Sequence, residues 1–430
     1  MKKTKITATI GPASEKTATL KKMMEAGMDV CRLNFSHGEQ AWHKKTVKNI
    51  RKASKEAGKS VGIIADIQGP RIRVANKRSL KLEKKEKVFV TDENCPHTYG
   101  FKKELILDWD SFYQYAEVGE KIFIEDGLKE LETIDKKKDG CVAEVITGGK
   151  VDPHKGVNIP KASSHMGFLT DKDIKDLEFI IPQGVDFVAA SFVSNRKQLQ
   201  GLKQHIKRIL KKEKNFHKME KGSQQTKNSS LAYPWIVSKI ETRKAIQNLD
   251  AIIDESDAIM VARGDLAIEM PQEEVVVLQK KIVNKCLKAK KPVIVATQMF
   301  ASMVEKPRPT RAEISDVTNA VVDCADSIMF SNETAVGKYP LKTIETAARV
   351  IQNAEKSPYN DKPLKKLGKF AKIITRLRKQ KKSGKEKTIS IAGLGEAKGY
   401  SALRQEDVHL KLKTKDKNIK RKGSLIWGIE

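Results

Sequence analysis

Lys239 and Glu241 stand two residues apart in WIVSKIET, the segment 235–242, and could do chemistry as a pair. In an extended chain alternate side chains point the same way, so both would lie on one face of a strand. A surface ion pair at a strand end would contribute little to stability. A carboxylate beside an ammonium could instead hold a metal ion and balance negative charge on a substrate, and the other strand ends favour this interpretation.

Polar residues also follow the other apolar runs, where parallel strands would end. They are Arg32, Asn34, Ser36, Asp66, Ser191, Arg263, Gly264, Asp265, Thr297, Ser331 and Glu333. Glu241 and Asp265, on adjacent strands, could hold a hard divalent cation such as Mg²⁺ and leave ligand positions for substrate oxygens and water. Lys239 and Arg32 would supply positive charge for a phosphoryl group or an enolate.

Eight short apolar runs alternate with longer segments of helical period. We predict strands at 5–11, 30–36, 61–67, 186–193, 235–241, 258–264, 292–298 and 327–333, and helices at 14–27, 37–58, 170–184, 271–291 and 309–325. Apolar runs with little internal alternation, each followed by a helix, are typical of a parallel sheet buried on both faces. Eight such units favour an α/β fold of the closed (β/α)₈ TIM-barrel type, with an open doubly wound sheet as the alternative.

Residues 71–153 interrupt this rhythm with short alternating strands and turn residues, and we predict an inserted small β-barrel lid domain there. An insertion beside the C-terminal end of a barrel is well placed to cover the site. The catalytic barrel then comprises 1–70 and 154–355, and 356–430 forms a shortened C-terminal α/β domain.

The chain carries a formal net charge of +29, concentrated in 203–227, in the tail and on helix faces. No zinc finger, RNA-recognition signature or basic–aromatic pattern accompanies this charge, so we interpret it as solvated surface and expect no nucleic-acid partner. The lysine-rich segment 209–233 is interpreted as a loop extending the fourth helix. No apolar segment resembles a signal peptide or membrane span, and the five cysteines are dispersed, so we expect a cytoplasmic protein.

Successive segments resemble the signature segments of pyruvate kinases. They are TKITATIGPAS, GMDVCRLNFSHGE, DIQGPRIR, HKGVNIP, SKIET, VARGDLAIEMP, ATQMF with KPRPTRAEISDV, and SNETAVGKYP, in this order over residues 4–355. The resemblance implies a barrel, a β lid and a C-terminal α/β domain. It also implies transfer of the phosphoryl group of phosphoenolpyruvate to ADP, giving pyruvate and ATP in the last step of glycolysis.

The resemblance implies roles for the charged residues in that reaction. Lys239 would stabilise the phosphoryl group in flight, and Arg32 would contact it. Glu241 and Asp265 would bind the Mg²⁺ that bridges the enolate and carboxylate oxygens of the substrate. A loose phosphoryl-transfer transition state requires mainly positioning and positive charge, which these residue types provide.

The resemblance also implies residues for the substrate carboxylate and for the nucleotide. The backbone at Gly264 and the hydroxyl of Thr297 would hold the carboxylate, and Thr297 would lie near the path for protonating the enolate. The residues similar to the family's nucleotide-side positions are Asn34, His37, Arg73 and Lys155.

Many members of this family need K⁺, which is held by an Asn, a Ser, an Asp and a backbone carbonyl. The matching positions are Asn34, Ser36, Asp66 and Ile67. Potassium-requiring members usually read G-P-E-I-R, and a lysine in place of the glutamate accompanies potassium independence. This chain has Arg71 there, and a fixed guanidinium could take the electrostatic role of the ion, so we expect weak or absent K⁺ dependence.

Two further positions depart from the family pattern. Asn332 replaces the usual glycine of S-G-E-T-A, and asparagine also tolerates left-handed backbone geometry. The tail 356–430 is shorter than in the family and has no Ser/Thr-rich loop of the kind that binds a sugar phosphate. We therefore expect no sugar-phosphate activation. The resemblance implies a homo-oligomer, a tetramer in the family, but with this tail we do not expect the usual tetramer contacts.

Two other function classes remain open. A Mg²⁺-dependent pyruvate-enolate aldolase or lyase on a related barrel also needs paired acids, although it has no nucleotide for a lid and Lys155 to clamp. A noncatalytic barrel could bind nucleic acid through its basic loop and tail, although it would not need Lys239, Glu241 and Asp265 together.

Overall fold

The computed structural model describes residues 2–95, 99–125, 127–163, 165–220 and 232–360. The predicted C-terminal domain beyond residue 360 lies outside the described residues, as does 221–231 of the lysine-rich segment.

Strands β1 to β17 follow one another in the described ranges. They are β1 Lys5–Thr9, β2 Val30–Asn34, β3 Gly62–Asp66, β4 Ile72–Arg73, β5 Leu80–Leu82, β6 Lys87–Asp92, β7 Glu104–Leu107, β8 Lys121–Ile124, β9 Lys129–Lys137, β10 Gly140–Thr147, β11 Gly149–Val151, β12 Gly156–Asn158, β13 Phe187–Ala190, β14 Trp235–Ile240, β15 Ala258–Ala262, β16 Val293–Ala296 and β17 Ser327–Phe330.

Helices α1 to α12 lie in the same ranges. They are α1 Thr17–Ala26, α2 Gln40–Glu56, α3 Pro160–Ser163, α4 Asp171–Ile180, α5 Arg196–Glu220, α6 Arg243–Gln247, α7 Leu249–Glu255, α8 Arg263–Glu269, α9 Gln272–Lys288, α10 Arg311–Val322, α11 Asn332–Ala335 and α12 Pro340–Lys356. Thr170 and Thr310 begin α4 and α10 with capping boxes, which satisfy N–H groups that a helix start leaves without partners. In the part of the chain that the structure describes, each helix is too short or too polar to cross a membrane.

Eight of these strands close into a parallel barrel in the order β1-β17-β16-β15-β14-β13-β3-β2. Each of the eight ranges predicted as strands from the sequence contains one strand of this barrel. The prediction of a closed barrel is confirmed. Alternate strand residues such as Ile64, Val237 and Met260 form a core inside the barrel, and the others pack under the helices. The strands are therefore apolar on both faces, which is why their sequences show little alternation.

The lid has its own sheet and its own hydrophobic core. Seven strands lie in the order β4-β12-β8-β9-β10-β6-β7, and β5 pairs with β11. The sheet begins at Ile72 and ends at Asn158, so its last strand lies beyond residue 153, where we placed the end of the insertion. Val157, Ile159 and Ala162 are buried in the lid core, which makes the returning chain part of the lid.

Residues 209–220 are helical, whereas we expected a loop at 209–233. They continue α5, which reaches Glu220. Ile206, Ile209 and Leu210 are buried against the rest of the barrel, and the leucine, lysine and glutamate residues of this segment favour a helix. Packing and helix propensity together outweigh the polarity on which the loop prediction rested.

Four aspartates each join the N-terminal ends of two neighbouring barrel strands by hydrogen bonds. Asp29, Asp186, Asp257 and Asp326 directly precede β2, β13, β15 and β17. Each donates its N–H to a carbonyl in the preceding barrel strand and accepts the N–H of the same residue at Oδ2. The partners are Ile6, Ile63, Ile236 and Val293, at 2.8–3.0 Å.

We expect Asp257→Ala to lower the free energy of unfolding by about 1–3 kcal/mol, because it leaves the buried N–H of Ile236 without its acceptor. Asp257→Asn keeps an acceptor oxygen and should cost less. Asp250→Ala, which removes only an exposed ion pair with Lys285, is the matched control and should shift stability by less than about 0.5 kcal/mol. Urea unfolding measures all three, and equal losses in the two alanine variants would contradict the role assigned to Asp257.

Candidate active site

The ammonium of Lys239, near the C-terminal end of β14, joins groups from neighbouring strands into one cluster. Its Nζ donates to Ser191 Oγ at 2.7 Å and lies 2.9 Å from Glu241 Oε1 and 3.3 Å from Asp66 Oδ1. Ser191 donates its own proton to the carbonyl of Ile67 at 2.7 Å. Asp66 and Glu241 are each only 1% exposed, so the cluster consists of buried charges. The surface ion pair considered for Lys239 and Glu241 is thereby excluded.

The charges in this cluster set one another's pKa values. Burial alone would raise the pKa of Asp66, but Arg32 and Lys239 outweigh it and hold that pKa below its usual range. Burial would lower the pKa of Lys239, yet Asp66 and Glu241 raise it overall. Burial raises the pKa of Glu241, Lys239 opposes the rise, and the nearby charge of Asp265 adds to it. A fixed cationic lysine and a fixed anionic Asp66 result at neutral pH.

Arg32 extends the cluster to the first two strands of the barrel. Its Nε donates to Asp66 Oδ2 at 2.6 Å, and its Nη1 donates to Thr9 Oγ1 at 2.9 Å. Thr9 in turn donates to the carbonyl of Phe330 at 2.8 Å. The guanidinium is therefore held in one orientation beside Lys239, and the two cations share the carboxylate of Asp66.

Gly264 and Thr297 come together at the ends of β15 and β16. The N–H of Gly264 donates to Thr297 Oγ1 at 2.8 Å, and that hydroxyl donates to the carbonyl of Ala296 at 2.6 Å. Thr297 has a φ of 70°, in the left-handed region that a β-branched residue rarely adopts. An N–H and a hydroxyl at one point form a pair that could bind a carboxylate.

Arg263 and Glu333, both singled out from the sequence, support the backbone around this pair. Arg263 donates to the carbonyl of Thr297 at 2.6 Å and to Asp316 Oδ1 at 2.7 Å. Glu333 accepts the N–H groups of Phe300 at 3.1 Å and Ser331 at 2.7 Å. These contacts make both residues positioning residues for the loops after β16 and β17.

Glu241 and Asp265 have the chemistry of a magnesium site. Glu241 Oε1 is buried and accepts no hydrogen bond in the described ranges, although it lies 2.9 Å from Lys239 Nζ. Asp265 has the guanidinium of Arg71 at 3.9 Å, a long contact. Carboxylate oxygens are the ligands that Mg²⁺ prefers, so these residues fit the ion. In the described ranges no cluster of three or more His, Cys, Asp or Glu side chains is arranged to hold a metal ion.

Of the four positions matched to a potassium site, three already have protein partners for the matched group. Asn34 Oδ1 accepts the N–H of Ser36 at 3.2 Å, and the carbonyl of Ile67 accepts from Ser191. Asp66 is shared by Arg32 and Lys239. The chain itself therefore supplies hydrogen bonds or positive charge to three of the four matched groups.

Of the residues matched to the nucleotide side, Asn34 ends β2, His37 follows it, and Arg73 and Lys155 lie on the connections to the lid. Arg73 donates to the carbonyl of His154 at 3.0 Å, and Lys155 pairs with Glu125 at 2.6 Å. Partial burial and the guanidinium groups of Arg73 and Arg71 lower the pKa of His37, so its imidazole is neutral at pH 7. An arginine and a lysine at the lid hinge would suit the phosphates of a nucleotide.

Sequence reasoning missed three contributors to the site. Phe192 donates its N–H to Glu241 Oε2 at 2.7 Å, Thr9 orients Arg32, and Glu125 pairs with Lys155. Phe192 acts through its backbone, which no side-chain pattern reveals. Thr9 ends β1 in the same way that the recognised polar residues end their strands, and that signal could have identified it.

Fold and site together define a class of protein: a (β/α)₈ barrel with an inserted β domain and a charged cluster at the carboxyl ends of its strands. Such barrels carry their chemistry at this end. Residues 1–344 match the family model described as the barrel domain of pyruvate kinase. The chain belongs to the pyruvate kinase family.

Curated pyruvate kinases resemble the chain over most of its length. The enzyme of Bacillus licheniformis is 40% identical over 83% of this chain and 58% of its own length. The enzyme of Sporosarcina psychrophila is 36% identical over 100% of this chain and 71% of its own length. The enzyme of Trypanoplasma borreli is 39% identical over 83% of this chain and 67% of its own length. The chain thus spans less than three fifths of the length of the Bacillus relative.

Glu269, at the end of α8, is an acid whose protonation is coupled to folding. Burial raises its pKa to about 7, and the N–H of Arg243 at 3.3 Å opposes that rise only partly. The folded protein therefore holds a proton that the unfolded chain releases near pH 4.5. Stability falls as the pH rises from about 4.5 through 7, and the whole cost is present above that range.

We expect Glu269→Gln to remove this loss, because glutamine stays neutral. Its free energy of unfolding should equal that of the wild type near pH 4, below the unfolded pKa, and exceed it by on the order of 2 kcal/mol at pH 8. Denaturant unfolding at both pH values measures the difference, with exposed Glu274→Gln as the control that should follow the wild type. Parallel pH curves for Glu269→Gln and wild type would refute the raised pKa.

Proposed function

We propose that the chain catalyses Mg²⁺-dependent transfer of the phosphoryl group of phosphoenolpyruvate to ADP, giving pyruvate and ATP in cytoplasmic glycolysis. The observation that carries this proposal is the buried cluster in which Lys239 lies between Glu241, Asp66 and Ser191. The cluster occurs within residues 1–344, which match the family's barrel. The charges and hydrogen-bond donors needed for an anionic substrate are all present in it.

Lys239 and Arg32 would carry the electrostatic part of the reaction. Both are buried cations with fixed partners, so they would need little reorganisation while the phosphoryl group passes from the substrate to the nucleotide. Water is largely excluded there, and each positive charge acts more strongly than it would at the surface. Glu241 and Asp265 would hold the Mg²⁺, which supplies Lewis-acid charge to substrate oxygens when bound.

Gly264 and Thr297 would bind the substrate carboxylate. The Gly264 N–H now donates to the Thr297 hydroxyl, which donates to the carbonyl of Ala296, so turning both donors to a carboxylate would cost these two bonds. The Thr297 hydroxyl would also lie near the enolate carbon that takes a proton after the transfer. Arg263 fixes the carbonyl of Thr297 and so limits how far this residue can move.

The nucleotide would bind between Asn34, His37, Arg73 and Lys155. Arg73 and Lys155 lie on the two connections to the lid, so lid closure would bring their charges toward the phosphates. A nucleotide clamp of this kind favours phosphoryl transfer over an aldolase or lyase, which has no second substrate to enclose.

Lys239→Met should lower kcat for pyruvate formation from phosphoenolpyruvate and ADP by at least about a thousandfold, because a buried transition-state charge loses its partner. A coupled assay with Mg²⁺ measures the rate, and exposed Lys281→Met is the control that should keep wild-type turnover. Circular dichroism and thermal unfolding must show that the Lys239 variant is folded.

Two results would count against the proposal. Wild-type protein that is folded and loaded with Mg²⁺ but gives no pyruvate would favour the aldolase reading, which cleavage of a 2-oxo acid substrate would test. Salt-dependent binding to RNA without turnover would favour the noncatalytic reading.

We further propose that turnover needs little or no K⁺. The guanidinium of Arg71 packs against Gly156, where a Cβ would come within 3.1 Å of it, and lies 3.9 Å from Asp265. A cation of the protein is thus already present beside the candidate metal ligand, and three of the four matched potassium ligands have partners of their own.

Replacing K⁺ by tetramethylammonium should change the wild-type rate by less than about twofold, whereas Arg71→Glu should make the rate depend on K⁺ severalfold. Arg71→Lys keeps the charge and serves as the matched control that should stay independent of K⁺. Rates measured at constant ionic strength check this, and a large fall for the wild type in tetramethylammonium would contradict it.

A further inference from the structure

His43, near the start of α2, is a buried side chain beside the loop 35–38, which carries the candidate nucleotide residue His37. Its ring stacks on the ring of Phe35, with the ring centroids 3.9 Å apart and the planes 10° from parallel. The ring of Trp42 lies nearly perpendicular to it, with the centroids 4.9 Å apart. Two aromatic neighbours therefore hold the His43 ring in one orientation.

One nitrogen of this ring holds the backbone of the loop. His43 Nε2 lies 3.0 Å from the carbonyl oxygen of His37, and because a carbonyl only accepts, Nε2 is the donor. Burial lowers the pKa of His43, so its imidazole is neutral at pH 7 and carries its single proton on Nε2. The bond limits rotation of the peptide between His37 and Gly38, and with it the direction in which the His37 side chain leaves the backbone.

The loop is fitted closely to His43. Gly38 has a φ of 78°, and a Cβ there would come within 3.5 Å of His43 Nε2, so glycine lets the backbone bend and approach the ring. Two residues earlier along the loop, Lys172 Nζ donates to the carbonyl of Phe35 at 2.6 Å. The chain is therefore held at one carbonyl before His37 and at the carbonyl of His37 itself.

The other nitrogen of His43 is an exception to the usual pairing of buried polar atoms. Nδ1 is buried and accepts no hydrogen bond in the described part of the chain. Such an unpaired atom lowers stability, whereas phenylalanine would fill the same space, keep the stacking on Phe35 and bury no polar atom. A histidine here makes one hydrogen bond and leaves one nitrogen unpaired, so stability alone gives little reason for it. The bond to His37 is the property that phenylalanine lacks.

We infer that His43 is a positioning residue for nucleotide binding, which holds the imidazole of His37 in place through the carbonyl of that residue. The inference rests on the proposed function, in which His37 contacts ADP. The guanidinium groups of Arg73 and Arg71 are near enough to His37 to lower its pKa, so a phosphate that they attract would come beside its imidazole. Because His43 is only 1% exposed, it would act through His37 and would not touch the nucleotide.

Isothermal titration calorimetry of the whole chain with ADP and Mg²⁺ tests the inference. His43→Phe should bind ADP about three- to tenfold more weakly than the wild type, because it keeps the ring but lacks the donor. Its thermal unfolding midpoint should stay within about 3 °C of the wild type. His43→Gln, whose side-chain amide can donate from about the position of Nε2, should bind ADP within about twofold of the wild type.

A double-mutant cycle with His37→Ala distinguishes positioning from a general loosening of the fold. If His43 acts through His37, adding His43→Phe to His37→Ala should weaken ADP binding by less than about twofold more. His205→Phe is the matched control, because His205 on α5 also buries a ring nitrogen that has no partner in the described ranges, and it should leave the affinity unchanged. Losses that multiply in the double variant would overturn the inference, since His43 would then act without His37.

Kinetics separate this inference from the proposed reaction. In the coupled assay His43→Phe should raise the KM for ADP in parallel with its loss of affinity, and should leave kcat and the KM for phosphoenolpyruvate within about twofold of the wild type. Wild-type protein that binds ADP but forms no pyruvate would contradict the proposed reaction, whereas the ADP affinities of the variants would still decide the role of His43. Equal ADP affinities of His43→Phe and wild type, or no ADP binding to the wild type, would overturn the inference.

Discussion

The candidate site depends on four buried formal charges in mutual contact, those of Arg32, Asp66, Lys239 and Glu241. Removing such groups from water costs several kcal/mol for each ion, and apolar side chains of similar volume often stabilise a core as well or better. Stability alone therefore gives no reason for this arrangement. The proposed reaction would explain it, because a cluster with two cations and two anions would receive an anionic substrate and a divalent cation without moving its own charges.

Strained backbone at the strand ends positions the groups around that cluster. Phe192, Thr297 and Gln298 have φ values of 54°, 70° and 52°, in a region where residues other than glycine are uncommon. Each such residue costs on the order of 1–3 kcal/mol unless its surroundings hold it. At Phe192 the compensation is the bond from its N–H to Glu241, and at Thr297 it is the bond from Arg263 to its carbonyl. The hydrogen bonds that hold the strained residues therefore also position the groups of the site.

The barrel and most of its polar strand ends could be predicted because strands buried on both faces give apolar runs, and a polar residue that ends such a run is conspicuous. The direction in which a polar side chain at a strand end points was harder to predict. Arg263 and Asp265 lie two residues apart at the end of β15, but α8 starts at Arg263, so the alternation of a strand no longer applies. The helical course of 209–220 depended on burial of Ile209 and Leu210, which their lysine-rich neighbours concealed. The aspartates before β2, β13, β15 and β17 are visible as a repeated pattern, but only hydrogen bonds show what the pattern does.

The lid joins the barrel through two neighbouring antiparallel strands, in which Ile72 pairs with Val157 and Arg73 pairs with Gly156. A movement of the lid that keeps this pairing must carry both connections together. The absence of a side chain at Gly156 lets the guanidinium of Arg71 lie against its backbone, and the same guanidinium lies 3.9 Å from Asp265. The position of one positive charge is therefore set by the lid hinge. Any movement at these two connections would therefore also change the distance between the Arg71 charge and Asp265.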